Sequence, residues 1–342
     1  MATTVTKVVD PNSGAGYDYA SLSLWEAGQQ GDLTGVRDEI AVAKCRCTGG
    51  TADATAITID GWTVDATRYV KVWTDPSESY RHTGKWTTGN CYRLINASGK
   101  SLDILESYTQ IIGLQISPTE NANNIHGVYI QSDSNFVLVD KCIIKGSNQS
   151  KIKYGIYAYN NPYSPKILNN IVYDFSDATY GIGIYCTAQS VNPGVVYNNT
   201  IHNCGSGISL ANQSYVKNNI IQSCPTAAIV GTASAGSGYN ATNLASMGYT
   251  VTDGATGDRV SQTFTFVDAD NDDFHLASND AGALGYGLNL YNDATYPFQT
   301  DIDGQDRGGA AAAWDIGADE YVAVGGSSIV PLLLYQYRAR RQ

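Results

Sequence analysis

Val139-Asp140-Lys141-Cys142-Ile143-Ile144, Ile167-Leu168-Asn169-Asn170-Ile171-Val172, Val196-Tyr197-Asn198-Asn199-Thr200-Ile201 and Val216-Lys217-Asn218-Asn219-Ile220-Ile221 are four versions of one phrase. Each follows a Gly-led run: Gly127-Val128-Tyr129-Ile130, Gly155-Ile156-Tyr157-Ala158, Gly183-Ile184-Tyr185-Cys186 and Gly207-Ile208-Ser209-Leu210. From Gly127 the starts recur after 28, 28 and 24 residues, and Ala228-Ile229-Val230 continues the series. Repeats of this length, carried by short β-branched runs, are single coils of a solenoid. Strands so short cannot bury a face alone, so coils must stack about 4.8 Å apart to share one core. Asn tolerates a left-handed bend, and its amide can bond its own copy one coil away. Asn170, Asn199 and Asn219 are therefore expected to form an internal ladder at one bend.

Working outward, Asp18 to Ala27 reads as a turn followed by a Ser-capped amphipathic helix. Its Leu22 and Trp25, with Leu33, can lie over the first coil, which would otherwise be an open edge. The expected organisation is an N-terminal cap over 1–34, coils over 35–232 (less regular before about 116), a Gly/Ala/Ser-rich closing segment over 233–324, and a tail over 325–342.

Composition agrees with an all-β chain. Charged residues are 15% of the total, while Gly numbers 35 and Tyr 24. The net charge of -11 argues against nucleic acid as a partner. The first ten residues have neither a basic nor an apolar region of a secretory signal, which fits assembly in a host cytoplasm or a signal already removed. No apolar run approaches the ~20 residues of a membrane helix. The seven Cys show no zinc-type spacing and are expected to be free, mostly buried thiols.

The capping helix, the Asn-bearing coils and the closing motifs together resemble the right-handed parallel β-helix proteins of the pectin-lyase-like superfamily. Asp273-Phe274-His275-Leu276, Asp301-Ile302-Asp303-Gly304-Gln305-Asp306-Arg307 and Asp315-Ile316-Gly317-Ala318-Asp319-Glu320-Tyr321 are similar to the closing segment of secreted and phage-encoded members. The resemblance implies an all-β, right-handed parallel β-helix with an N-terminal capping helix and a loop-rich closing segment. It leaves function open, because this fold hosts lyases, hydrolases, epimerases, adhesins and phage structural parts.

Enzymes of that superfamily work on polysaccharides beside the stacked coils. Lyases there use a Lys or Arg base with positive groups or calcium; hydrolases use paired carboxylates. Here no Arg lies between Arg93 and Arg259, and no Glu between Glu120 and Glu320. The weak catalytic candidates are Asp174 and Asp177 as an acid pair and Lys166 as a base, all three more simply read as loop residues. His126 and His202 sit near bends and are minor acid–base candidates. Calcium is the one ion for which a cage can be drawn, from Asp268, Asp270 and Asp272 or from Asp301, Asp303 and Asp306; otherwise no cofactor is indicated. The dense set Tyr154, Tyr157, Tyr159, Tyr163, Tyr173, Tyr180, Tyr185 and Tyr197 would either pack along one strand face or stack on sugar rings.

Beyond the linker Gly325-Gly326-Ser327-Ser328, Ile329, Val330, Leu332, Leu333, Leu334, Tyr335 and Tyr337 form an apolar stretch too short to span a bilayer. Arg338, Arg340 and Arg341 follow. The segment suits docking onto a protein partner, a capsid or tail protein or a further copy of this chain in a homo-oligomer such as a homotrimer. The expected function is a non-enzymatic structural or binding β-helix of a phage particle, a head decoration or tail appendage at the virion surface that contacts glycans. The alternatives are a polysaccharide lyase or glycoside hydrolase, and an adhesin that is secreted or held at the cell surface.

Overall fold

The computed structural model describes residues 2–35, 37–147, 151, 153–159, 164–187, 192–210, 213–251, 253–254 and 256–323. Three parallel sheets run the length of the coils. The first has eight strands, from Thr3–Val9 and Glu39–Cys45 to Val195–Tyr197 and Tyr215–Lys217. The second has seven, from Arg93–Asn96 to Ala241–Thr242, and the third has seven, from Ile57–Ile59 to Ala227–Val230. Successive segments visit the three sheets in turn, so each coil pairs only with the coils above and below.

The register explains the repeat. In the third sheet Val128, Ile156, Ile184, Ile208 and Ile229 stand opposite one another. In the first, Val139, Ile167, Val196 and Val216 do the same, and in the second Ile144, Val172, Ile201 and Ile221. All thirteen are fully buried and belong to one core. Each such side chain contributes about 1.5–3 kcal/mol by leaving water, so stacked identical columns, not strand length, hold the fold. All seven Cys are free and buried, most of them in this core.

A glycine inside each of four successive third-sheet strands, Ile125–Ile130, Lys153–Ala158, Gly181–Cys186 and Ser206–Leu210, marks a close approach. A Cβ on Gly183 would stand 2.8 Å from the Gly207 carbonyl oxygen and 2.6 Å from Ile201 Cγ2. Gly127, Gly155 and Gly207 are hemmed in the same way, each by a backbone oxygen of the next coil and an aliphatic side chain of the second sheet. Gly183→Ala should lower stability by about 1–3 kcal/mol through overpacking. Denaturant unfolding checks this; an alanine variant as stable as the parent would remove close approach as the reason for the glycine.

The Asn pairs divide two tasks that the sequence suggests for one residue. The first member takes the left-handed bend: φ is 49° at Asn169, 52° at Asn198 and 56° at Asn218, with Lys141 at 57° in the coil before. The second member makes the ladder. Asn170 Nδ2 donates to Asn199 Oδ1, Asn199 Nδ2 to Asn219 Oδ1, and Asn219 Nδ2 to Asn240 Oδ1, at 2.9–3.0 Å. Each backbone N–H on this column bonds the same oxygen as the amide does. Asn240, outside the four matched phrases, extends the ladder by one rung.

At the N-terminus the helix Leu22–Gln29 is capped by Ser21, whose hydroxyl accepts from the Leu24 amide. Trp25 is buried and stacks on Trp62 at 5.5 Å. The strand Thr3–Val9, preceding that helix, joins the first sheet beside Glu39–Cys45, so the N-terminal residues supply a strand as well as a lid.

The closing segment does more than cover an end. It folds back along the outside of the coils over the first and second sheets. Phe274, Ile302 and Ala318 pack on Ile143, Ile171 and Tyr173. Leu290 and Trp314 pack on Leu168, Val195 and Tyr197. Arg307, 1% exposed, ties the motifs together: it donates to the carbonyls of Gly317 (2.9 Å) and Ala318 (2.8 Å), to Glu320 Oε2 (3.0 Å) and to Asn169 Oδ1 (3.3 Å). Asn198 and Asn218 also reach outward, donating to the Gly317 and Leu288 carbonyls. The first Asn of each pair is thus both bend and anchor.

Candidate functional site

Among the described residues no comparable apolar cluster covers the outer face of the third sheet, and its register lines up an aromatic stripe. One column runs Asp103, Tyr129, Tyr157, Tyr185, Ser209; a second, offset from it, runs Lys100, His126, Tyr154, Ile182, Ser206. Tyr157 stacks between Tyr129 at 5.3 Å and Tyr185 at 4.8 Å. His126 lies nearly parallel to the Tyr157 ring at 4.8 Å, and Tyr154 and Tyr159 lean on Tyr157 at 4.5 and 5.8 Å. Rings repeated at the coil spacing stack on one another, so most present an edge and a hydroxyl outward.

The stripe has two different ends. At one, Lys100 Nζ sits 4.1 Å from the Tyr129 ring centroid and 2.9 Å from Asp103 Oδ2, and Gln131 Nε2 donates to both Asp103 oxygens. At the other, Tyr185 is followed in register by Ser209 and Ile182 by Ser206, so among the described residues no ring continues either column and hydroxyl-bearing residues take the next positions. Burial, then the neighbouring Tyr hydroxyls, hold the Tyr157 phenol above its ordinary range. Burial, then Lys100, hold His126 down at about 4. At neutral pH this imidazole and this phenol are both uncharged, which suits hydrogen bonding better than proton transfer.

The catalytic candidates do not converge. Lys166 lies on the first sheet, on a groove of about 400 Å³ whose other lining residues are Ala66, Tyr69, Tyr108, Gln110 and Phe136, with no carboxylate among them. Its Nζ stands over the Tyr296 ring at 4.6 Å. Asp174 is a bend residue at φ 64° after the second-sheet strand, and accepts from Asn203 Nδ2 at 2.7 Å. Asp177 accepts the amides of Thr179 and Tyr180 in its own turn. His202 packs against Phe274 and Phe266 beneath the closing segment.

The proposed calcium sets also separate. Asp268 accepts from Asn271 Nδ2, Asp272 pairs with Lys145, and Asp270 is exposed. Asp301 accepts the amides of Gln305 and Glu320, and Asp306 that of Gly308. Asp303 instead faces His275, and with Asp319 these bring one donor atom each within 4.8 Å of one another. Of the Tyr set, Tyr154, Tyr157, Tyr159 and Tyr185 join the stripe, Tyr173 and Tyr197 are buried, Tyr180 is exposed, and Tyr163 lies outside the described residues. The docking candidates Ile329 to Arg341 also lie outside them. Tyr129, Lys100, Asp103 and Gln131 were not singled out by the sequence, although Gly127-Val128-Tyr129 aligns with the Gly-Ile-Tyr runs at 155 and 183.

Residues 83–247 match the family model of the right handed beta helix region, and the parallel sheets described above are those of that fold. No curated protein and no solved structure matches the chain.

Proposed function

From a right-handed parallel β-helix with one open aromatic face, we propose a non-catalytic binding protein that contacts a surface glycan through the third sheet. We further propose that it is a surface component of a phage particle, as the likeness of its closing motifs to phage-encoded β-helices suggests. The segment 329–341 would attach it to a capsid or tail protein, or to its own copies. The observation that carries the glycan reading is the Tyr129–Tyr157–Tyr185 column with the hydroxyl-bearing residues that follow it. A sugar ring is amphipathic: its C–H face can lie on the Tyr185 ring, while its hydroxyls meet Ser206, Ser209 and the Tyr hydroxyls. The net charge of -11 favours a neutral glycan over an acidic one.

Glycan-array binding followed by titration with the best hit tests this. Tyr185→Ala should weaken binding by at least about tenfold, roughly 1.4 kcal/mol, with little change in melting temperature. Absence of any bound glycan, or equal binding by the variant, overturns it. Incubation with polyuronates and calcium should give no rise in unsaturated-product absorbance. A rise abolished by Asp174→Ala or Lys166→Ala would replace binding with catalysis.

A further inference from the structure

We propose that His275, Asp303 and Asp319 form a three-ligand site for a divalent transition-metal ion of the zinc class, clasping three pieces of the closing segment together beside Gly84. The three residues come from three separate pieces of that segment: the strand Asp273–Leu276, the turn at 301–304 and the final motif. Their donor atoms nevertheless lie within 4.8 Å of one another.

The orientation of His275 is that of a ligand. Its Nδ1 stands 2.5 Å from Asp273 Oδ1, which turns Nε2 toward Asp303 Oδ2 at 3.4 Å. Metal-binding His generally gives its other ring N–H to a carboxylate in this way. A separation of 3.4 Å is long for a charged hydrogen bond, which settles near 2.7–2.9 Å. It matches the edge of a tetrahedron whose metal–ligand bonds are about 2.0–2.1 Å, which is about 3.3–3.4 Å.

Two further observations point to a ligand. Asp303 Oδ1 is buried with no hydrogen-bond partner, while its Oδ2 accepts from Gln305 Nε2 at 2.9 Å. The wall opposite is Gly84, where a Cβ would stand 2.4 Å from His275 Nε2 and 3.2 Å from Asp303 Oδ1. Asp319, 4% exposed, is held in place by the Leu276 amide on its Oδ2. One imidazole with two carboxylates is a donor set for zinc-like ions; calcium takes six to eight oxygens.

The test uses the full-length protein, stripped with a chelator and titrated with Co²⁺ at pH 7.5. The expected result is one Co²⁺ per chain with the visible absorption of a tetrahedral site, displaced by Zn²⁺. Asp303→Asn and His275→Gln should each weaken binding by roughly a hundredfold or more, and exposed Asp270→Asn should not. If His275→Gln fails to fold, Asp319→Asn, which can still accept the Leu276 amide, replaces it. In parallel, Zn²⁺ should shift the imidazole resonances of His275 alone among the four His. No stoichiometric Co²⁺ band in the folded parent, undiminished binding by Asp303→Asn, or movement of another His instead overturns the site.

Discussion

Asn199→Leu should cost about 3–5 kcal/mol of unfolding free energy. Asn199 Oδ1 accepts both the backbone N–H and the Nδ2 of Asn170. Its own Nδ2 donates to the Ile167 carbonyl at 2.9 Å, the Tyr197 carbonyl at 3.1 Å and Asn219 Oδ1 at 3.0 Å. Leucine has nearly the same volume, so packing survives while the Asn170 amide and the Ile167 carbonyl lose these partners in a site shut off from water. Each orphaned buried group costs about 1–3 kcal/mol. Asn199→Asp separates charge from shape. It keeps the acceptor but aims a carboxylate at two carbonyls, so it should be at least as damaging at pH 7 and partly recover on acidification, when a protonated carboxyl can donate. Urea unfolding at both pH values checks this. A leucine variant within about 1 kcal/mol of the parent would mean that the ladder is ornament to a core already sufficient.

The coils were legible because spatial neighbours in a solenoid sit at a near-constant sequence distance. Val139, Ile167, Val196 and Val216 announce their contact by recurring, and so do the glycines that let Ile201 and its equivalents approach. The same regularity hid the division of labour in the Asn pairs, since adjacent Asn residues carry no mark of which one bends and which one bonds. Aperiodic partners were not legible. Nothing in sequence links Arg307 to Asn169, or Phe274 to Tyr173, because those contacts depend on how the closing segment folds back. Outward-facing Ile143, Ile171 and Val195 read as ordinary strand residues, yet they are the surface that receives it. The aromatic stripe is half legible: Tyr157 and Tyr185 belong to the dense Tyr set and Tyr129 lies in an aligned run, but nothing in the sequence marks His126 as a ring in the same stack.

Acid should loosen the protein through His82, and a single substitution should remove much of that sensitivity. His82 is 2% exposed and bridges the wall loop to the first bend of the matched coils. The Gly84 amide donates to Nδ1 at 3.2 Å, so the proton sits on Nε2, which donates to the Lys141 carbonyl at 2.8 Å. A second proton must enter at Nδ1, where it breaks the Gly84 bond and places charge in a dry site. Burial first, then the Arg81 guanidinium and more weakly His275, push the pKa down to about 3; the Lys141 carbonyl and Asp303 pull the other way without prevailing. The folded-state value is lowered below the unfolded 6.5, so the stability owed to neutral His82 is complete above pH 6.5. It is lost as pH falls from 6.5 toward 3, at up to about 1.4 kcal/mol per pH unit, or roughly 2 kcal/mol by pH 5. His82→Gln can keep one acceptor and one donor but cannot take the proton. It should start less stable at pH 7.5 and show a flatter decline to pH 5, so that the two curves converge. Melting temperatures of the chelator-treated parent and variant across that range decide it. Parallel curves would assign the acid sensitivity to other groups and leave His82 as packing alone.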